Sequence, residues 1–305
     1  MNGIYLESRD LSNRQWAAAF LTVAIPPMVL FYVLYHFEFF TRYLATDIIL
    51  FILFYIVSTL GVSSGYHRFF AHKSFKANRA VKVVLALMGS IAAQGPVLFW
   101  ASAHRRHHAY SDQPGDVHSP NLHKNKFVGL VHAHVGWMFT GKLSNPLKFS
   151  KDLLRDGDLN KINNYYWHIV AAGILLPGVI AFSLHHTGQA FLEGILWGGV
   201  IRIFVAHHVT WSLNSFAHVY GRKDFETGEG SHNLPLLSVV SMGESWHNSH
   251  HAFPASARFG LERWQPDLGY VFIRCLCFIG AANDVRLPER SEIEKKKTGC
   301  SGELN

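Results

Sequence analysis

Apolar positions along this 305-residue chain fall in long unbroken blocks rather than in the alternation of a strand. Residues 16–36 and 48–65 carry no formal charge, and two further apolar stretches cover 167–184 and 189–211. Each is close to the roughly 17–25 residues a helix needs to cross a bilayer. The fourth is interrupted by Glu193 and Arg202. Arg202 is expected to be paired in the interior and Glu193 to sit at the interface. Segments 81–99 and 268–281 are apolar but shorter or broken, and they predict buried or interfacial helices. The pattern therefore predicts an all-α integral membrane protein with four transmembrane helices, at about 16–36, 45–65, 167–186 and 189–211. Pro26 and Pro27 should kink the first, which a membrane helix tolerates. One domain covers 1–287, with 66–164 and 212–287 forming a helical cap. The charged segment 288–305 predicts an unstructured tail.

Charge adds the orientation. The first fifteen residues carry mixed charge and the first apolar run is too long for a secretory signal core, so it reads as a retained span. Four crossings place both termini on one side. Segment 66–164 holds fourteen Lys/Arg against five Asp/Glu, whereas the connections between spans 1 and 2 and between spans 3 and 4 hold only Arg42. Lys/Arg excess marks the cytoplasmic side, so the cap and both termini are expected there. The net charge of +7 then reflects topology and attraction to anionic headgroups. No nucleic-acid recognition module is present. Cys275, Cys277 and Cys300 form neither a zinc ribbon nor a disulfide framework.

Histidine changes the picture from a membrane protein to a metalloprotein. Eight imidazoles lie in three clusters: His67-Arg-Phe-Phe-Ala-His72, His104-Arg-Arg-His107-His108 and His247-Asn-Ser-His250-His251. On a helix, positions i, i+3 and i+4 share a face, so the second and third clusters each present three rings together. His67 and His72 are about 140° apart on a regular helix, and they converge only if the helix ends between them. A ninth imidazole, His218, shares a face with Asn214 at the end of span 4. After an even number of crossings all nine lie on one side. Nine nitrogens suit two metals of four to five ligands each. Iron suits a membrane di-metal site that activates O2, while zinc and copper also accept nitrogen ligands. His207, His208, His185 and His186 read as hydrogen-bonded or interfacial, and His123, His132 and His134 lie in the loop region. Asp116 and Glu244 are placed to hydrogen-bond ligand imidazoles, or to act as turn residues or caps.

With these motifs in view, the chain resembles the membrane fatty acyl desaturases of the delta-9, stearoyl-CoA desaturase-like class. The likeness includes Gly65-Tyr66, Lys73-Ser-Phe-Lys76, Tyr110-Ser111-Asp112, Gly115-Asp116-Val-His118, His134-Val-Gly-Trp137, Asn214-Ser215 with His218 and Tyr220-Gly221, and Gly243-Glu244, over roughly 45–280. Bacterial and cyanobacterial members look most similar, in Gln94-Gly-Pro96 and Ser111 to Asp116, which points to a bacterial inner membrane rather than the endoplasmic reticulum. The resemblance implies two Fe2+ ions and O2 as co-substrate, with a cis double bond placed at the delta-9 position of a long saturated acyl chain. It implies one metal on His67, His72, His104, His108 and His251, and another on His107, His218, His247 and His250, with Asn214 acting through water. No haem-binding His-Pro-Gly-Gly, cysteine cluster or dinucleotide loop is found, so electrons are expected from a separate ferredoxin, or from cytochrome b5 with its reductase. Long-chain acyl-CoA is the expected carrier by class frequency and acyl-lipid the alternative, since Trp100-Ala-Ser-Ala103 lacks the Arg-Asp pair that precedes this box in animal members.

An unactivated methylene demands cofactor chemistry and a dry apolar tunnel. Tyr55, about 18 Å along span 2 from His67, is expected to close that tunnel, with Thr59 and Trp100 along its wall. A hydroxylase or ketolase of the same superfamily is the nearest alternative, separated by the box pattern. A histidine-rich metal transporter is more distant, because it would want ligands within the spans.

Overall fold

The computed structural model describes residues 3–6 and 8–298. Four helices are long and apolar enough to cross a membrane: Arg9–Tyr35 (α1), Leu44–Ala71, Tyr166–His185 and Gly188–His218. Each overlaps its predicted position; α1 begins at Arg9, seven residues earlier than expected, and the second and fourth run farther toward the histidines. α1 continues through Pro26 and Pro27, with Ser8 capping its start by accepting from Leu11 N. Its outward side chains, such as Phe20, Met28 and Phe31, are exposed, as a lipid-facing helix requires.

Span 2 begins as α2 (Leu44–Leu60) and changes at Gly61 to a π-helix over Gly61–Ala71. The change has a packing partner. A Cβ on Gly61 would lie 2.2 Å from the backbone of Met88, and one on Gly89 would lie 2.2 Å from the Tyr66 ring. α3 (Arg79–Ser90) thus crosses span 2 at backbone contact, with Tyr66 fully buried over Gly89. The π-turn adds to the expected geometry of the first box. Span 2 ends at Ala71, between the two histidines, and His72 as its C-cap donates from N to His67 O at 3.0 Å, the i→i+5 bond that stacks the two on one face.

The fourth span contains a second π-turn, Ile195–Ile201, just before Arg202. Arg202 is fully buried and paired with backbone carbonyls rather than a carboxylate: Gly198 O at 2.9 Å, Ile91 O at 2.6 Å and Gly173 O at 3.0 Å. Glu193 departs from expectation. It is buried rather than interfacial, accepting from Tyr43 N at 2.9 Å and Gln189 at 2.7 Å.

The cap is built from α4 (Val97–Tyr110), α5 (Lys126–His134) and short helices that include His247–Ala252 and Leu268–Phe278. Sheet among the described residues is confined to the two-residue pairing of Lys76–Ala77 with Ala282–Asn283 and isolated bridges. Its apolar core gathers Tyr66, Phe70, Leu85, Leu159 and Ile273. The expected unstructured tail is only partly so. Arg290–Lys296 is helical because Glu289 and Glu292 close a capping box, and Lys297 bridges to Phe225. Cys300 and the rest of 299–305 lie outside the described residues.

Candidate metal centre

The ends of spans 2 and 4, α4 and the helix His247–Ala252 converge, and all nine predicted histidines meet there. Their ring nitrogens form two groups, each with ligand atoms within 4.8 Å of one another. The first is His67, His72, His104, His108 and His250; the second is His107, His218, His247 and His251. The expected partition therefore changes in one respect. His250 joins the box-1 group and His251 the other, because the short helix carrying them lies between the two groups.

Within the groups, Nε2 atoms face each other: His67–His250 at 3.0 Å, His72–His104 at 2.7 Å, His108–His250 at 2.8 Å and His218–His247 at 2.9 Å. Two imidazole nitrogens bound side by side at about 2.1 Å from one metal stand about 3 Å apart. The Nε2 atoms of His107 and His251 are buried with no hydrogen-bond partner. Buried polar atoms rarely stay unpaired without a reason, and an absent metal supplies one. The residues present fit two metal ions.

Carboxylates orient the rings from behind. Glu244 accepts from His67 Nδ1, and Asp116 accepts from His107 Nδ1 at 2.8 Å. Both were legible in sequence. Asp112 and Glu229 were not assigned. Asp112 Oδ2 stands 3.3 Å from His218 Nδ1, and Glu229 stands 3.6 Å from the Nδ1 atoms of both His218 and His251. The available signals were Asp112 beside box 2 and a lone carboxylate between Gly228 and Gly230. Arg68, fully buried, ties Glu244 to Asp267 and stacks 3.8 Å over Phe259. His118 was quoted only within a motif, yet it is buried with its ring 4.4 Å from that of His107.

Burial, followed by neighbouring imidazoles, holds His72, His104, His108, His247, His250 and His251 well below the usual histidine range. They are neutral near pH 7, with lone pairs free for a metal. Burial would also lower His107, but the charge and hydrogen bond of Asp116 outweigh it and raise it. A metal at its Nε2 would displace a proton there.

A cavity of about 320 Å³ reaches this centre, lined by His104, Trp100, Ala103, Asn214, His207 and Trp137 among others, with α1 along one side. Trp100 donates to Gln94 at 3.2 Å, and Gln94 donates to Thr210 at 2.9 Å, fixing the wall. Trp100 and Asn214 are both among its lining residues. Tyr55 and Thr59 do not line this cavity. Tyr55 instead packs with Ala206 and Met242 and donates to Val240 O at 2.6 Å. His207 behaves as an interior histidine bonded to Ala92 O at 2.8 Å, and His208 faces His134 at 3.0 Å.

The family model described as fatty acid desaturase matches residues 46–269. A hex-5-enoyl-[acyl-carrier protein] acetylenase of Moorena producens is 43% identical over 79% of this chain and 77% of its own. Delta-9 acyl-lipid desaturase 1 of Arabidopsis thaliana is 39% identical, over 78% and 74% respectively. An sn-1 stearoyl-lipid 9-desaturase of Anabaena variabilis is 34% identical, over 79% and 84%.

Proposed function

The chain belongs to the fatty acid desaturase family, and from that premise we propose that it places a cis double bond at the delta-9 position of a long saturated acyl chain, using a histidine-held iron pair. The observation that carries this is the apolar cavity running up to His104, one of nine histidines arranged in two metal-sized groups. When bound, the iron pair supplies the power to take two hydrogens from neighbouring methylenes while O2 is reduced to water with electrons from a separate carrier.

The protein's own part is placement. Trp100, held by Gln94 and Thr210, gives the chain a fixed wall beside His104. Asn214 lies in the same wall and would offer its amide, through water, to a metal held by His107, His218, His247 and His251. The surrounding side chains exclude bulk water from the centre, which protects a strong oxidant from side reactions. Glu244, Asp116, Asp112 and Glu229 hold His67, His107, His218 and His251 in the tautomer that turns Nε2 inward.

For the carrier we favour acyl-lipid over the initially expected acyl-CoA. Two of the relatives above are named for lipid-bound substrates. Ala101, Ser102 and Ala103 before box 2 are buried and uncharged, which leaves no pair there for a phosphorylated nucleotide. A hydroxylase or ketolase outcome gains no support from this geometry. The positive-inside bias supports an active site and termini on the cytoplasmic side. Lipid analysis of a desaturase-deficient host expressing the chain tests the reading. New monounsaturated chains in membrane lipids, absent with His104→Ala at equal membrane abundance, are expected. Saturated lipids unchanged by the wild-type chain would sink it.

A further inference from the structure

The cavity is apolar apart from a few groups, and one of these is unexplained. Trp137 Nε1 is buried and, among the described residues, has no hydrogen-bond acceptor, although Trp137 lines the cavity. An indole N–H is a donor only, and leaving it unpaired costs stability. Its setting is well defined. Trp137 follows α5 in a 3-10 turn, Gly136–Phe139, and Trp16 of α1 packs on Phe139 at 5.7 Å. The turn and α1 therefore hold the indole at the flank of the cavity. The ring centre lies 5.8 Å from that of His118, which in turn lies 4.4 Å from that of His107.

We infer that Trp137 is a substrate-positioning residue whose Nε1–H holds the carbonyl oxygen of the acyl ester and so fixes which carbons reach the metals. The inference rests on the desaturase reading above. A saturated chain has no feature that distinguishes one methylene from the next. Placing a double bond at one position therefore needs a polar anchor at a set distance. The carbonyl is the only strong acceptor that every esterified chain carries at its head. From that carbonyl to the ninth carbon an extended chain covers eight bonds, or about 10 Å. The ring centre of Trp137 lies 5.8 Å from that of His118, and His118 lies 4.4 Å from His107, so an anchor at Trp137 leaves the metal centre within reach of that length of chain. Gln15 of α1 lines the same cavity with Oε1 unpartnered. Rotation of its amide would turn a second donor toward the same oxygen.

The test uses the full chain in a desaturase-deficient host, with the double bond located in each product. With the wild-type chain, palmitoyl and stearoyl substrates should be cut at the same distance from the carboxyl carbon. Trp137→Phe keeps the ring and removes the donor. It should raise the flanking positional isomers about tenfold, the scale of one lost hydrogen bond. Trp137→His, which restores a ring N–H on a smaller ring, should return the profile toward wild type. A double bond that keeps its distance from the methyl end would overturn the inference, and that measurement needs no variant. So would an unchanged single isomer in Trp137→Phe, or an equal loss of selectivity in both variants, which would assign the effect to ring shape. No unsaturated product from the wild-type chain would instead remove the desaturase reading itself.

Discussion

Glu244 is where ligand geometry and protein stability meet. It accepts from His67 and from Arg68, and Arg68 also holds Asp267. Glu244→Gln keeps the shape and leaves Arg68 paired with Asp267, but it weakens the hold on His67. Metal retention at the five-histidine group should fall about 10- to 100-fold, measured as metal per protein during chelator titration. Protonation acts on the same site. The six depressed histidines stay neutral when folded but titrate near 6.5 when unfolded. Above that value neither state takes protons, and the histidines do not affect stability. Below it only the unfolded state does, so stability declines as pH falls. Melting temperatures of the metal-stripped protein should be flat from pH 8 to 7 and drop steadily below about 6.5. At this scale the sequence was legible where chemistry is local. His104, His107 and His108 announce themselves by spacing, and Glu244 by standing beside box 3. The exchange of His250 and His251 was not legible, since i+3 and i+4 are equally good neighbours on an isolated helix. Glu229 reaches its histidines only through the folding of a loop.

Helix type, rather than helix position, decides the first histidine box. All four spans could be located from hydropathy, with ends that shift by up to seven residues, because membrane-length apolar runs are hard to mistake. The π-helix could not, because Gly61 and Gly65 act through α3, a partner on another element. Gly61→Ala tests that coupling. Its methyl would meet the Met88 backbone, which cannot rotate away. The variant should lose at least about 1–3 kcal/mol by overpacking, seen as a lower melting temperature in detergent, with loss of bound metal in parallel. Retained metal at a lowered melting temperature would separate the crossing from the box. The tail shows the converse error. Its composition suggested disorder, but a reciprocal Glu289–Glu292 cap is enough for two helical turns against the cap domain.

Across the whole molecule, apolar exteriors, a buried polar centre and a cavity beside it follow from one arrangement: the second and fourth spans end in histidines that meet those of α4 and His247–Ala252. The tie that Arg202 makes to Ile91, Gly173 and Gly198 has a consequence for how that arrangement is reached. An arginine at mid-helix opposes membrane partitioning by about 2.5–3.5 kcal/mol, so the fourth span alone is a poor candidate for release into lipid. Its one carbonyl partner on the third span, Gly173 O, lies across a connection of only two residues, His186 and Thr187. Biosynthesis should therefore commit the two as a hairpin. In a translocation assay the isolated fourth segment should insert poorly, and either adding the third segment or replacing Arg202 by Leu should rescue it. Efficient insertion of the unaltered segment on its own would show that the guanidinium finds its carbonyls only after the ribosome has moved on.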